Sequence, residues 1–248
     1  MARCYGNNPG TAAKHPSAML PRALVIDGND NFYVGGEQPD SSNTVSRPLV
    51  QYRDGQTGAL IRSQDIGHPV TIRGAAGTAA DEQDYIKGLA LNEDQLVVVG
   101  YVWEQYILNG RTAFISMLKL LPGVADEDWS SIYNPSFGSN SALIYDIGFM
   151  ADGNVLVTGT SPWSPGIGIR YNSDTGSVVD PTPEWISAPN RFYSHYIDSD
   201  GYIYFSGISS GTTHTAWKFD PAAPGTPVWM VTEAASGGIA GDSSGYIY

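Results

Sequence analysis

The chain has 248 residues, of which 42% are hydrophobic and only 15% charged, with 29 glycines and 15 tyrosines; this favours short strands and tight turns over solvated helices. Its 13 basic residues against 25 acidic ones give a net charge of −12, and the basic residues form no run, which argues against nucleic acid or an anionic membrane as partner. A single cysteine, Cys4, excludes an internal disulfide and a thiolate metal centre.

Residues 1–21 read as an irregular leader. "MARCYGNNPGTAAKHPSAML" mixes Gly, Asn, Pro, Lys and His where a secretory signal needs an apolar core. No apolar run in the chain is long enough to span a bilayer. The expectation is a protein without membrane insertion, soluble or part of an extracellular or viral assembly.

From residue 22 a phrase begins that recurs. The apolar stretch "ALVI" 23–26 is followed by the polar turn "DGND" 27–30 and by "NFYVGG" 31–36. Strand, Asp/Asn/Gly turn and strand make a hairpin, because these residues tolerate the positive φ of tight turns. "RPLVQYR" 47–53 then reads as a third strand and "DGQTG" 54–58 as the turn into a fourth. The second unit aligns "QLVVVG" 95–100 on the same glycine, with "TAFISMLKL" 112–120 as its third strand and "LPGVADED" 121–128 as its turn. The third brings "LIYDIGF" 143–149, "NVLVTG" 154–159 and "GIGIRYN" 166–172, and the fourth "FYSHYI" 192–197, "YIYFSG" 202–207 and "TAWKFD" 215–220. Trp129, Trp185 and Trp229 fall on the fourth strand of units two to four. "DSSGYIY" 242–248 opens a fifth hairpin.

The aligned glycines are Gly36, Gly100, Gly159 and Gly207. Periods of roughly 50–65 residues with four short strands per unit indicate propeller blades, the drift coming from variable loops. The second strand of each unit is apolar on both faces, as a sheet packed between two others requires. The expected fold is therefore an all-β propeller of four-stranded antiparallel blades, with units at about 22–85, 86–140, 141–191 and 192–235 and a partial fifth at 236–248. The first two strands of a blade occur at both ends of this array, and no third and fourth strand completes the fifth. The sequence thus favours a ring finished by further polypeptide over a closed small ring.

Asp152, Gly153, Asn154 and Gly159, together with "YNSDTG" 171–176 and Trp185 behind it, resemble the β-propeller repeat families of the bacterial repeat and quinoprotein-like types. The resemblance spans about residues 22–248 and implies blade shape rather than one activity. A quinoprotein-like enzyme would carry cofactor-stacking tryptophans and calcium ligands, whereas the tryptophans here occupy outer-strand positions.

Four histidines, His15, His68, His195 and His214, lack metal spacing. His195 stands on an innermost strand, where it either faces the channel or is buried and hydrogen-bonded. The turns "DGNDN" 27–31 and "DSDG" 198–201 look like fragments of a calcium loop, with Asp and Asn oxygens and a Gly as that cation takes them, which makes Asp27, Asp30, Asp198 and Asp200 candidate calcium ligands. They lack the distal bidentate acid, so Asx-rich hairpin turns explain them as well. The acidic runs "ADEQD" 80–84 and "ADED" 125–128 read as solvated loops. No nucleophile elbow or phosphate loop is present, and no catalytic residue is assigned.

Surface chemistry remains. Trp103 and Tyr106 in "YVWEQY" 101–106 and Trp163 in "SPWSPG" 161–166 place aromatic side chains in inserts, as contact sites on a rigid scaffold do. These three and His195 are the candidate binding residues. The leading expectation is a non-enzymatic binding or structural module that meets a protein or glycan partner, in the style of a phage or particle-associated component. The alternative is a quinoprotein-like or glycan-acting enzyme with its site at the central channel.

Overall fold

The computed structural model describes residues 19–39, 46–65, 83–92, 95–104, 110–121, 124–133, 143–160, 166–179, 185–187, 191–209, 212–232, 237–242 and 244–248. Among them the regular structure is all β, and no helix is long and apolar enough to cross a membrane. The strands group into four antiparallel meanders in chain order. The first comprises β1 (Leu20–Ile26), β2 (Phe32–Pro39), β3 (Ser46–Arg53) and β4 (Leu60–Asp65). The second comprises β5 (Gln83–Asn92), β6 (Gln95–Glu104), β7 (Gly110–Leu121) and β8 (Val124–Tyr133). The third comprises β9 (Leu143–Phe149), β10 (Val155–Thr160), β11 (Gly166–Tyr171) and β12 (Trp185–Ser187), and the fourth β13 (Arg191–Ile197), β14 (Ile203–Ile208), β15 (His214–Phe219) and β16 (Pro227–Thr232). One parallel pair, Ser46 with Gln83, ties the first meander to the second.

Turn chemistry makes these hairpins. Between β3 and β4, Asp54 accepts the Thr57 amide at 2.7 Å and the Thr57 hydroxyl at 2.6 Å, and Gly58 adopts φ 69°. Asn172 does the same for Thr175 between β11 and β12, with Gly176 at φ 67°. The recurring Asp/Asn-x-x-Thr-Gly is thus one turn used twice, its glycine placed where an L side chain is disfavoured.

The meanders stack face on face. Each second strand is buried on both sides: all of β10 is buried, and of β14 only Ile208 is not. Alternate residues therefore belong to different interfaces. Tyr33 and Val50 of the first meander pack with Ile86, Leu89, Leu96 and Val98 of the second. Val97 and Val99 turn the other way, onto Ile144, Ile147, Val155 and Val157 of the third. Leu156 and Met150 then meet Phe192, Ile203, Phe205, Trp217 and Phe219 of the fourth. The trailing face of one meander covers the leading face of the next, at about 1.5–3 kcal/mol for each large side chain buried.

Residues 124–133 correct one expectation. The acidic run "ADED" 125–128 belongs to strand β8, where Asp126 lies opposite Lys119 and Glu127 opposite Leu118. As the last strand of its meander β8 is an outer strand, and charged residues are well tolerated at such an edge because they discourage further pairing. Asp84 and Gln83 of "ADEQD" likewise stand in β5.

Every innermost strand carries a bulge at the same place. The register slips between Pro21 and Ala23, Ile86 and Gly88, Ile144 and Asp146, and Phe192 and Ser194, so that Arg22, Lys87, Tyr145 and Tyr193 are the inserted bulge residues that the register skips. Opposite each slip stands the aligned glycine. A Cβ on Gly36, Gly159 or Gly207 would fall far inside contact with the carbonyl oxygen of Leu20, Leu143 or Arg191. The glycine that defines the repeat is therefore the residue that lets the bulged strand close in. Gly207→Ala should lower stability by about 2–3 kcal/mol in urea unfolding, as overpacking against backbone does. Gly225→Ala, where a Cβ meets nothing within 4 Å, should change it by less than about 0.5 kcal/mol.

Candidate functional site

The aspartates considered as calcium ligands are placed by the hairpin turns. Asp27 Oδ1 accepts the amides of Asn29 at 2.8 Å and Asn31 at 3.0 Å, and its Oδ2 accepts the Tyr52 hydroxyl at 2.7 Å. Asp198 repeats this with Asp200, Tyr202 and the Tyr204 hydroxyl at 3.0, 2.8 and 2.9 Å. Asp242 repeats it again with Ser244, Tyr246 and the Tyr248 hydroxyl at 2.9, 3.1 and 2.9 Å. Partial burial works to raise the Asp27 pKa, but the Tyr52 hydroxyl and the two amides together hold it below the ordinary carboxylate value. Asp30 occupies the positive-φ position of its turn at 64°. Asp200 contributes its amide to Asp198. The third meander has the same backbone turn with Met150 in place of the aspartate, closed by Met150 N–H to Asn154 O at 2.8 Å. Among the described residues no three His, Cys, Asp or Glu side chains gather as a metal site.

The bulges create a second arrangement, along the inner strands. Tyr145 and Tyr193, the bulged residues of β9 and β13, meet edge to face with ring centres 5.3 Å apart and planes at 86°. Beside them Asp146 joins the two strands. Its Oδ1 accepts the Ile147 amide at 2.9 Å, and its Oδ2 accepts the Ser194 hydroxyl at 2.7 Å and the His195 amide at 2.9 Å. The corresponding positions of the first two meanders hold Arg22 and Lys87. Arg22 Nε donates to Glu37 Oε1 at 2.8 Å, and a second guanidinium nitrogen reaches the same oxygen. One row of equivalent positions thus offers a cation–carboxylate pair, a lysine and two half-buried phenol rings, with an aspartate and a serine beside them. Rings with polar groups converging near them suit an uncharged polyhydroxyl ligand.

His195 lies behind this row. Its side chain is buried at the boundary of the third and fourth meanders, with Nδ1 3.2 Å from the Thr158 hydroxyl and 3.7 Å from Asp146 Oδ2. It pairs across the ladder with Phe205, the position that Leu89 and Ile147 fill in the preceding meanders opposite Val98 and Val157. Of the two placements expected for it, the structure has the buried, hydrogen-bonded one.

Trp103 stands in β6, opposite Gln83 and Arg111, and not in the expected insert. The β-branched and aromatic residues "YVW" carry the strand on past its glycine. Tyr106 and Trp163 lie outside the described residues. Tyr145, Asp146, Tyr193 and Ser194 were not singled out from sequence, although a signal for them exists. In "LIYDIGF" and "RFYSHYI" the buried positions are Ile144 and Ile147, Phe192 and His195, three apart where a regular strand gives two, which is how an inserted bulge residue reads.

No family model and no curated protein matches the chain. Solved structures do. A Dyadobacter fermentans protein of unknown function matches at 10% identity and TM-score 0.55, over 92% of this chain and 73% of that one. The exo-β-1,3-galactanase of Phanerochaete chrysosporium, solved with β-1,3-galactotriose, matches at 13% identity and TM-score 0.54, over 89% of this chain and 51% of that one. The Bacteroides ovatus protein described as xyloglucan PUL GH43B matches at 13% identity and TM-score 0.50, over 92% and 47%. The chain spans about half the length of these last two and about 60% of others that it matches. At such identities the likeness bears on the fold, which is β-propeller-like; nothing in it selects the quinoprotein-like or the bacterial repeat type.

Burial lowers the affinity of His195 for a proton, and the Asp146 charge only partly opposes this, so its pKa in the folded chain lies below the ordinary 6.5. The unfolded chain then takes up the proton first. The stability contributed by the neutral imidazole is full above pH 6.5 and is lost as pH falls below that value toward the folded-state pKa, with a slope of up to about 1.4 kcal/mol per pH unit. His195→Leu, which installs the side chain found at Leu89, should flatten urea midpoints between about pH 7 and pH 5 relative to the native chain. Equal slopes for the two proteins would show that another group is responsible.

Proposed function

We propose that the chain is a non-enzymatic, propeller-like module that binds a carbohydrate along its inner strands, with four complete blades and the first hairpin of a fifth at residues 237–248. The observation that carries this reading is the contact of Tyr145 with Tyr193 beside Asp146 and Ser194. Sugar rings present C–H faces to aromatic rings and hydroxyls to carboxylates, amides and cations. The row along the inner strands offers both kinds of group, with Arg22 and Lys87 extending it. The galactanase crystallised with its trisaccharide and the GH43B protein support a glycan as the ligand class, because both share this fold at low identity.

Binding is favoured over hydrolysis by the condition of the carboxylates. Glycoside cleavage generally uses two carboxyl groups flanking the bond, one donating a proton and one attacking or activating water. Here Asp146 accepts three hydrogen bonds from its own scaffold and Glu37 is 2% exposed and ion-paired with Arg22. Asp146 through both oxygens and Glu37 through Oε1 are engaged in holding their strands. Among the described residues, the rim is suited to hold a ligand rather than to cleave one.

Calorimetric titration with β-1,3-linked galacto-oligosaccharides and xyloglucan oligosaccharides tests the proposal. Binding to at least one series is expected without release of reducing ends. Tyr193→Ala and Tyr145→Ala should each weaken it about ten-fold or more while the chain stays folded. Undiminished affinity in both variants would overturn the assignment to this rim, and released reducing ends would transfer the case to the glycan-acting enzyme.

A further inference from the structure

One contact recurs where successive meanders meet, and its chemistry changes at the third boundary. Gly35 faces the Leu89 side chain at the first, Val99 and Ile147 share a core cluster at the second, and Thr158 stands against His195 at the third. These are equivalent positions, one residue before the repeat glycine and two after the bulge. Packing there asks only for an aliphatic side chain. The position just after the bulge changes in step, from Ala23 and Gly88 to Asp146. Three polar residues thus converge, His195 Nδ1 lying 3.2 Å from the Thr158 hydroxyl and 3.7 Å from Asp146 Oδ2. They do so where Tyr145 meets Tyr193.

The imidazole is boxed in. A Cβ on Gly148 would come within 2.7 Å of its Nε2, and the Phe205 ring stands 6.3 Å from it. Among the described residues, β9 presents Asp146 and Gly148 to the ring, β10 Thr158, β14 Phe205, and β13 itself Ser194 and Ile197; Asp146 is the charged group of this set. A proton taken up here is cut off from water and has one carboxylate to turn to. That carboxylate is already in use: Oδ2 accepts the Ser194 hydroxyl and the His195 amide, fastening the residue after Tyr145 to the residue after Tyr193.

We propose that Asp146 is a positioning residue for the tyrosine pair and that proton uptake by His195 draws it away, so that the rim holds a saccharide while His195 is neutral and releases it on acidification. This rests on the carbohydrate reading of the rim. The imidazolium turns Nδ1 into a charged donor, Oδ2 moves to it, and the Ser194 hydroxyl that steadied Tyr193 loses its acceptor. Burial, only partly opposed by the Asp146 charge, keeps the His195 pKa below 6.5. The rim is therefore intact at neutral pH, and affinity falls as pH drops through the folded-state pKa, by up to about ten-fold per pH unit. By reciprocity a bound saccharide lowers that pKa further.

Nuclear magnetic resonance of the native chain without ligand locates the His195 midpoint from its ring nitrogens. The ring signals of Tyr145 and Tyr193, assigned with Tyr145→Phe and Tyr193→Phe, should shift with the same midpoint. Asp146→Asn should abolish that shared shift. Calorimetric titration with whichever of the galacto- or xyloglucan oligosaccharides binds should then give a Kd at least about three-fold higher one pH unit below the midpoint than one unit above it. His195→Leu should bind with an affinity that no longer follows pH in this range. Tyrosine signals unmoved across the His195 titration, a ring that stays neutral until the chain unfolds, or the native pH dependence persisting in His195→Leu would each overturn the coupling. If neither saccharide series binds at any pH, the carbohydrate reading is what fails, and the ligand-free tyrosine shifts still decide whether His195 controls the rim.

Discussion

A strand with apolar side chains on both of its faces has to be covered twice. β10 and β14 carry apolar side chains on both faces and are buried at all six and at five of their positions, so neither of their meanders can be stable as a free sheet with one wet side. Stacking follows directly, since each meander is both a cover for the one before and a substrate for the one after. The order of the three core clusters along the chain is the order in which those covers are supplied. Local contacts between successive units hold the array together, as in other repeat architectures where each unit touches only its neighbours.

The bulge and its glycine form the second constraint, and the candidate site grows out of it. Inserting one residue into each innermost strand bends the strand and releases that residue from the ladder. The fold spends this freedom differently in each unit: an arginine tied to Glu37, a lysine, and two tyrosines that touch one another. Asp146 then fastens β9 to β13 by accepting from the Ser194 hydroxyl and the His195 amide. Structural and ligand-facing roles are therefore adjacent along the same strand. His195 belongs to the structural side, a polar residue in an apolar position that finds a partner in Thr158, as a buried imidazole must.

Much of the fold was legible in the chain because hairpins are local. Asp27, Asp198 and Asp242 announce their turns by spacing alone, and the turn closes through amides two and four residues on. The alignment on Gly36, Gly100, Gly159 and Gly207 recovered the units without revealing why the glycine stands there. That reason is a carbonyl from a neighbouring strand, and a neighbour is a tertiary fact. The acidic stretch of β8 misled because charge is a guide to solvent exposure, whereas an outer strand can be exposed and still pair. Trp103 misled for the opposite reason, since an aromatic after the repeat glycine looked like an insertion and was a strand running on.

By itself the sequence determined the all-β class, the succession of four-stranded units and the positions of their turns, since each depends on residues a few places apart and on the φ angles they permit. It also excluded a disulfide framework, through Cys4 alone. Only the tertiary structure decided that Tyr145 and Tyr193 meet, that His195 turns into an interface, and that Tyr204 is buried while Tyr248, which makes the same bond to its turn aspartate, is exposed. Those outcomes depend on which face of a strand another unit covers. A two-residue alternation assigns side chains to faces, and the packing partner alone assigns faces to the core or to water.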